Sequence, residues 1–343
     1  MKRRFIILIS LALGLSLSAG SVQAAPKAAT VTKIAQQLKK QHFTGTVLIV
    51  RNGHTVLQRS YGYANFAKLQ RNSAASTYQL ASVQKVFTAV LFMQLVETGK
   101  VRLNTPLSQY YPQIKHSNQI TLRQMLDMNS ELFTTTEPQK MLSDRQLIKF
   151  AVKHVQVKHI GQHNYEPVNY LLLTGIIEQI TGQSYRHLVQ KRLLQPLKLH
   201  HTGFVLDGFK QETHAALAYQ TKIAFLPYLF RVHTTRVAVK RKLGTGNMYS
   251  TASELFRLEQ AIQQGRLLKP ASIATLFNAT DGSYRGGLYN YRYFFVSHGV
   301  ENGYESGLAL SRDGNSGVIL LSNRRIAGSL SHKARQIYRQ LEL

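Results

Sequence analysis

One short stretch of this chain could do covalent chemistry. Ser82-Val83-Gln84-Lys85 sets a hydroxyl and an amine three residues apart, a spacing that puts both on one face of a helix. A serine hydroxyl becomes a useful nucleophile only when a neighbour removes its proton. A lysine can do so only as the neutral amine, and its ordinary pKa near 10.4 keeps it charged at neutral pH. The environment must therefore lower that value, and the residues that follow can supply it. Val86 to Val96 contains no charged side chain and is apolar nearly all round, which predicts a helix buried in a core. Burial disfavours the ammonium form, and the positive end of the helix dipole pushes the same way. Free backbone N–H groups at that end suit the oxyanion of an acyl-transfer intermediate. The alternative is a helix-end lysine that snorkels to water beside a serine that only caps the helix. Two fixed positions in four arise by chance about once in a chain this long, so the tetrad needs support from elsewhere.

The elements that would position this pair are readable along the chain. The start carries Lys2, Arg3 and Arg4, an apolar stretch from Phe5 to Leu17, and small residues ending at Ala24. This pattern predicts a secretory signal over residues 1–24, too short for an ordinary membrane span. Membrane contact is expected only through that segment, if it stays uncleaved. The remaining residues, about 319, suffice for one large core or two intergrown ones. The 343 residues contain no cysteine, so neither disulfides nor a thiol-linked lipid can contribute. The net charge of +27 attracts polyanions. For an exported protein the expected polyanion is a wall polymer such as teichoic acid, or a phospholipid surface, rather than nucleic acid. Export, basic charge and the lack of cysteine together suit a Gram-positive cell envelope.

Helical spacing runs from Val31 to Lys40, followed by β-branched runs Thr46 to Val50 and Thr55 to Tyr61. Asn52-Gly53 between them predicts a two-residue hairpin. The Ser82 helix should end at Gly99. Helical signals then dominate to about Lys240: Leu122 to Met128, Arg145 to His154, Asn169 to Ile180, and Tyr185 to Leu194. Another helix is expected over Ser253 to Gln264. Strands return over Gly287 to Ser297, Ser306 to Ser311 and Gly317 to Ser322, with a last helix from Ser331 to Leu341. Strands at both chain ends predict an α/β (α+β) fold with one antiparallel sheet built from the two termini. An α/β part would hold about 30–81 and 243–343, and an inserted helical part about 82–242.

Two other features invite a functional reading. Lys222, Arg231, Arg236, Lys240, Arg241 and Lys242 form a basic run, and no acid occurs between Glu212 and Glu254. A solvated face is one reading, a track for a polyanion the other. His154, His159 and His163 lack a carboxylate partner and standard zinc spacing, so no metal site and no cofactor are expected.

With these motifs in order, the chain resembles the serine β-lactamase and penicillin-binding protein superfamily, in its class C-like serine hydrolase branch. Ser-x-x-Lys is a signature of that group. The likeness runs from about Thr44 to the C-terminus, through Thr46 to Tyr63, Ile120 to Leu132, Asn164 to Tyr185, Leu194 to Phe204, Gly244 to Thr251 and Ser297 to Asn323. The resemblance implies that Ser82 is the nucleophile, Lys85 its base and Tyr165 the partner in proton transfer. Tyr165-Glu166-Pro167 stands where such enzymes carry Tyr-x-Asn, so a proline without a side-chain donor replaces the asparagine. The third motif, a cation, any residue, then glycine, falls on Ser297-His298-Gly299, and serine replaces the cation. A gapped register would instead use His298 as the cation and put Val300 where glycine belongs. The strand is expected to supply the second oxyanion N–H from Val300. Glu131 also stands where the branch usually has glycine.

The catalytic parts are therefore present and the amide- and carboxylate-recognising parts altered, which implies a different acyl substrate. The expectation is an exported acyl-serine hydrolase similar to the D-alanyl esterases that act on teichoic acid. A D-Ala-D-Ala carboxypeptidase or β-lactamase-like enzyme acting on peptidoglycan stem peptide is the alternative. A non-catalytic wall-binding protein is a further one.

Overall fold

In the computed structural model the described residues are 28–222, 226–325 and 328–341; the expected signal segment lies outside them. Seven strands form the central antiparallel sheet: β1 (Gly45–Arg51), β2 (His54–Tyr61), β3 (Asp281–Arg285), β4 (Leu288–Tyr291), β5 (Phe294–Glu301), β6 (Tyr304–Ser311) and β7 (Gly317–Ser322). Their order is β3-β4-β5-β6-β7-β1-β2. β1 joins the two ends of the chain, since Gly45 pairs with Ser322 and Val50 with Gly317. Asn52 and Gly53 turn the chain into β2 with positive φ at both, the twist a tight hairpin needs.

Ten helices are present among the described residues: α1 (Ala28–Lys40), α2 (Lys85–Glu97), α3 (Leu122–Leu126), α4 (Asp144–His154), α5 (Val168–Thr181), α6 (Tyr185–Val189), α7 (Arg236–Lys240), α8 (Ala252–Gln263), α9 (Pro270–Leu276) and α10 (Leu330–Gln340). α1 and α10 cover one sheet face, where Ile34, Leu38, Ala334 and Ile337 meet Val47, Ile49, Val318 and Leu320. On the other face Leu48, Val50, Ile319 and Leu321 join the core of α2, α5 and α8. With both faces covered, every residue of β1 and β7 is buried, so these strands read as continuous apolar runs rather than alternating ones. α2 is buried from Lys85 through Met93, as its all-round apolar sequence predicts, and ends on Gly99 in a left-handed conformation. No helix among the described residues is long and apolar enough to cross a membrane.

Two readings of the sequence need correction. Gly287 to Ser297 is not one strand: β4 ends at Tyr291, the chain turns at Arg292-Tyr293, and β5 begins at Phe294. The aromatic run Tyr291 to Phe294 hides that turn because it contains no glycine, asparagine or proline. The helical signals also stop at Leu194. The described residues from there to Thr235 form turns, irregular chain and the short strands Gly203–Phe204, Tyr219–Gln220 and Phe230–Arg231.

Candidate active site

Ser82 lies in a 3-10 turn, Ala81–Gln84, that runs straight into α2 at Lys85. Ala81 holds φ 49, a left-handed conformation that costs a residue with a Cβ on the order of 1–3 kcal/mol. Lys85 Nζ sits 2.9 Å from Ser82 Oγ and donates to the Thr245 carbonyl at 3.1 Å. Thr245 belongs to a loop fixed against the same helix. Gln84 Nε2 donates to Asn247 Oδ1 at 3.0 Å, Asn247 N donates to Gln84 Oε1 at 2.5 Å, and Thr88 Oγ1 donates to the Gly244 carbonyl at 2.7 Å.

Lys85 is fully buried, and burial alone brings its amine down from 10.5 to about 7. No carboxylate among the described residues pairs with it. A permanent ion pair would have held the ammonium; its absence here leaves desolvation unopposed. Tyr165 closes the other side, with its ring centroid 5.0 Å from Lys85 Nζ. Tyr284, a residue with no sequence signal, packs edge-on against Tyr165 at 5.3 Å. Burial raises the Tyr165 phenol above its usual value, while the neighbouring Ser82 and Tyr284 hydroxyls pull it back. Tyr165 is thus a neutral phenol at pH 7, and Lys85 is the group that can take a proton.

β5 forms the remaining wall. A Cβ on Gly299 would lie 2.2 Å from the Leu80 carbonyl oxygen and 3.1 Å from Ser82 N, so only glycine lets the strand pass this close to Ser82. Glu301 faces Tyr304 across the Asn302-Gly303 turn, and ladder pairs alternate from there. Ser297, Gly299 and Glu301 consequently turn their backbone groups toward β6, whereas His298 and Val300 turn theirs away. β4 pairs β5 only at Phe295 and Val296, which leaves the N–H of Val300 on an open edge.

The strand period puts the side chains of the third-motif stretch on two faces. Ser297 is buried on the face it shares with Gly299. His298 is not part of this site: it projects to the opposite face, where Nε2 meets Glu305 Oε1 at 2.9 Å and Ser329 Oγ at 3.5 Å beside α10. The expectation that the His298 side chain binds substrate is therefore corrected. Val300 exposes its side chain, 39% accessible, so only its backbone can face the reaction.

Pro167 leads into α5 and offers no donor. Asn169 does not replace the missing amide: its Oδ1 accepts from Ser130 Oγ at 2.5 Å and its Nδ2 donates to the Glu166 carbonyl at 3.1 Å. Glu131, where the branch carries glycine, has φ 56, which explains the usual residue. The basic run is less free than its sequence suggests. Lys240 pairs with Asp144, Arg241 with Glu137 and Lys242 with Glu301, all acids from distant segments. A cavity of about 1160 Å³ beside α4 and α5 contains none of Ser82, Lys85 or Tyr165.

The profile of the beta-lactamase family matches residues 31–342. The chain belongs to that family. Within it, the teichoic acid D-alanine hydrolase of Staphylococcus aureus is 32% identical over 246 residues, which cover 69% of this chain and 59% of that longer protein. The crystal structure of FmtA from Staphylococcus aureus superposes with a TM-score of 0.80 at 26% identity, over 94% of this chain and 92% of that one. A D-amino acid amidase from Ochrobactrum anthropi shares the fold with a TM-score of 0.76 at 18% identity, over 92% of this chain and 97% of that one. Family and geometry together make this beta-lactamase-family member a serine hydrolase.

Proposed function

We propose that this protein is an exported D-alanyl esterase that frees D-alanine from teichoic acid, or from a related anionic polymer of the Gram-positive envelope. The observation that carries the reading is the fully buried Lys85 amine, 2.9 Å from Ser82 Oγ and paired with no acid. At pH 7 and above a large fraction of that amine is neutral, and it takes the proton from Ser82 as Oγ attacks the acyl carbon. The carbonyl electrons move onto oxygen, where the N–H groups of Ser82 and Val300 receive them. Ser82 is the second residue of its turn, so its N–H has no partner within that turn. Collapse of the intermediate expels the alkoxide, which receives a proton from Lys85 through Tyr165. Water then gives a proton back along the same path, attacks the acyl-serine, and leaves D-alanine and a restored Ser82 hydroxyl.

An ester rather than an amide follows from what is missing. Pro167 and Ser297 stand where related enzymes place an amide donor and a cation, and an ester needs less activation of its leaving group. The relative named for D-alanine hydrolysis of teichoic acid supports the same substrate class. Incubating the purified protein with D-alanylated teichoic acid should release D-alanine, and Ser82→Ala should release none. Cleavage of a peptide ending in D-Ala-D-Ala, with no release from the polymer, would overturn the esterase reading in favour of a carboxypeptidase.

A further inference from the structure

The reaction described above uses no cation outside the Ser82–Lys85 pair, yet one is built into the same wall. Lys242 lies on the loop whose Thr245 carbonyl holds Lys85; the N–H groups of Thr245 and Gly246 both donate to the Lys242 carbonyl, at 3.0 Å each. Its side chain leaves that loop and pairs with Glu301 on β5. Glu301 shares its strand face with Gly299, which abuts Ser82 N. Two residues of strand, about 7 Å, separate Glu301 from Gly299. The ammonium is thus held by the same strand that passes against Ser82.

The pairing with Glu301 does not use Lys242 up. An ammonium has three donors, and a carboxylate fixes its position without occupying all of them. Glu301 is 5% accessible in its side chain and its Oε1 also accepts from Asn302 N at 3.1 Å, whereas the Lys242 side chain is 35% accessible. The acid is therefore the buried anchor and the lysine the half-buried tip. Burial, and after it the neighbouring Arg241 charge, brings the Lys242 amine down to about 8 against the pull of Glu137, so it is still mostly charged at neutral pH. Lys242 also sits at the end of a run whose neighbours Lys240 and Arg241 are paired with Asp144 and Glu137.

We infer that Lys242, positioned by Glu301, forms an anion subsite beside Ser82 that receives a phosphate group of the substrate, in place of the cation absent at Ser297. This rests on the esterase reading for its biological substrate, but not for its test. Ser82 would be labelled with a neutral fluorophosphonate, with glycerol 1-phosphate, glycerate or glycerol as competitor, and the slowing by each measured within each variant. In the wild type, glycerol 1-phosphate is expected to slow labelling at concentrations at least about tenfold below those of glycerol, the size of one charge-assisted contact. Lys242→Met should abolish that preference, Lys242→Arg should keep most of it, and Glu301→Gln, which frees the ammonium from its acid, should strengthen it. Equal protection by glycerol and its phosphate in the wild type, or a preference that survives Lys242→Met, would overturn the inference. Protection by glycerate but not by the phosphate would overturn the phosphate assignment. The esterase reading fails separately, through absent D-alanine release from the polymer.

Discussion

The acylating end of the site and its recognition rim are built on opposite principles. At the first, Ser82 and Lys85 sit at the start of a helix with no exposed face, Tyr165 closes over them from the loop before α5, and apolar burial sets the proton affinity of Lys85. At the rim, Pro167 and Ser297 have lost the groups that read an amide and a carboxylate, and a lysine from a loop meets a glutamate from β5. The reaction type is thus fixed by the core, where any change of volume or charge is costly. Substrate choice is left to residues on edges and loops, where exchange is cheap.

Removing the proposed nucleophile gives the largest expected effect. Ser82→Ala should lower ester hydrolysis at least roughly 10³-fold while the fold survives, since the side chain caps no helix and its hydroxyl bonds only within the site. Near-wild-type turnover would break the distinction between the two regions outright. Lys85→Met should cost roughly 10²–10⁴-fold in kcat. The same variant should raise stability, because the folded chain holds this amine at about 7 and the unfolded chain at 10.5. Between those values the unfolded state binds the extra proton, so wild-type stability rises with pH through that window. At pH 7 the methionine variant should gain roughly 2–4 kcal/mol in denaturant unfolding, and a loss would show that the amine is not carried at a cost.

At the rim the changes should move selectivity rather than rate. Pro167→Asn combined with Ser297→Lys should raise acylation by an amide or β-lactam roughly tenfold or more, with a smaller change toward esters. Equal change toward both would mean that these positions act on the nucleophile and not on recognition. His298→Ala is expected to alter ester turnover less than about twofold. It should cost roughly 1–3 kcal/mol of stability, by depriving the buried Glu305 of a partner.

How far each region can be read from sequence follows from the same difference. The Ser-x-x-Lys spacing and the uncharged helix after it are local, and so are the Asn52-Gly53 hairpin and the strands at both termini. Local rules therefore reach the sheet and the base. His298 was open to misreading because an alternative register assigns it a role, and only the period of β5 sends it to the far face. Lys242 was hidden for the opposite reason: it stands in a basic run with no acid nearby in sequence, and its partner arrives from a strand near the other end of the chain. Tyr284 carried no signal, since a single tyrosine in a turn-rich stretch gains its meaning only from the ring it meets.

The direct test of the central claim is the pH dependence of Ser82 labelling by a neutral fluorophosphonate, a reagent that ignores the recognition rim. A neutral Lys85 amine predicts a rate that rises through a single ionisation near 7 and levels off above it. A rate that is flat down to pH 5, or that keeps climbing toward the ordinary lysine value near 10.4, would contradict it.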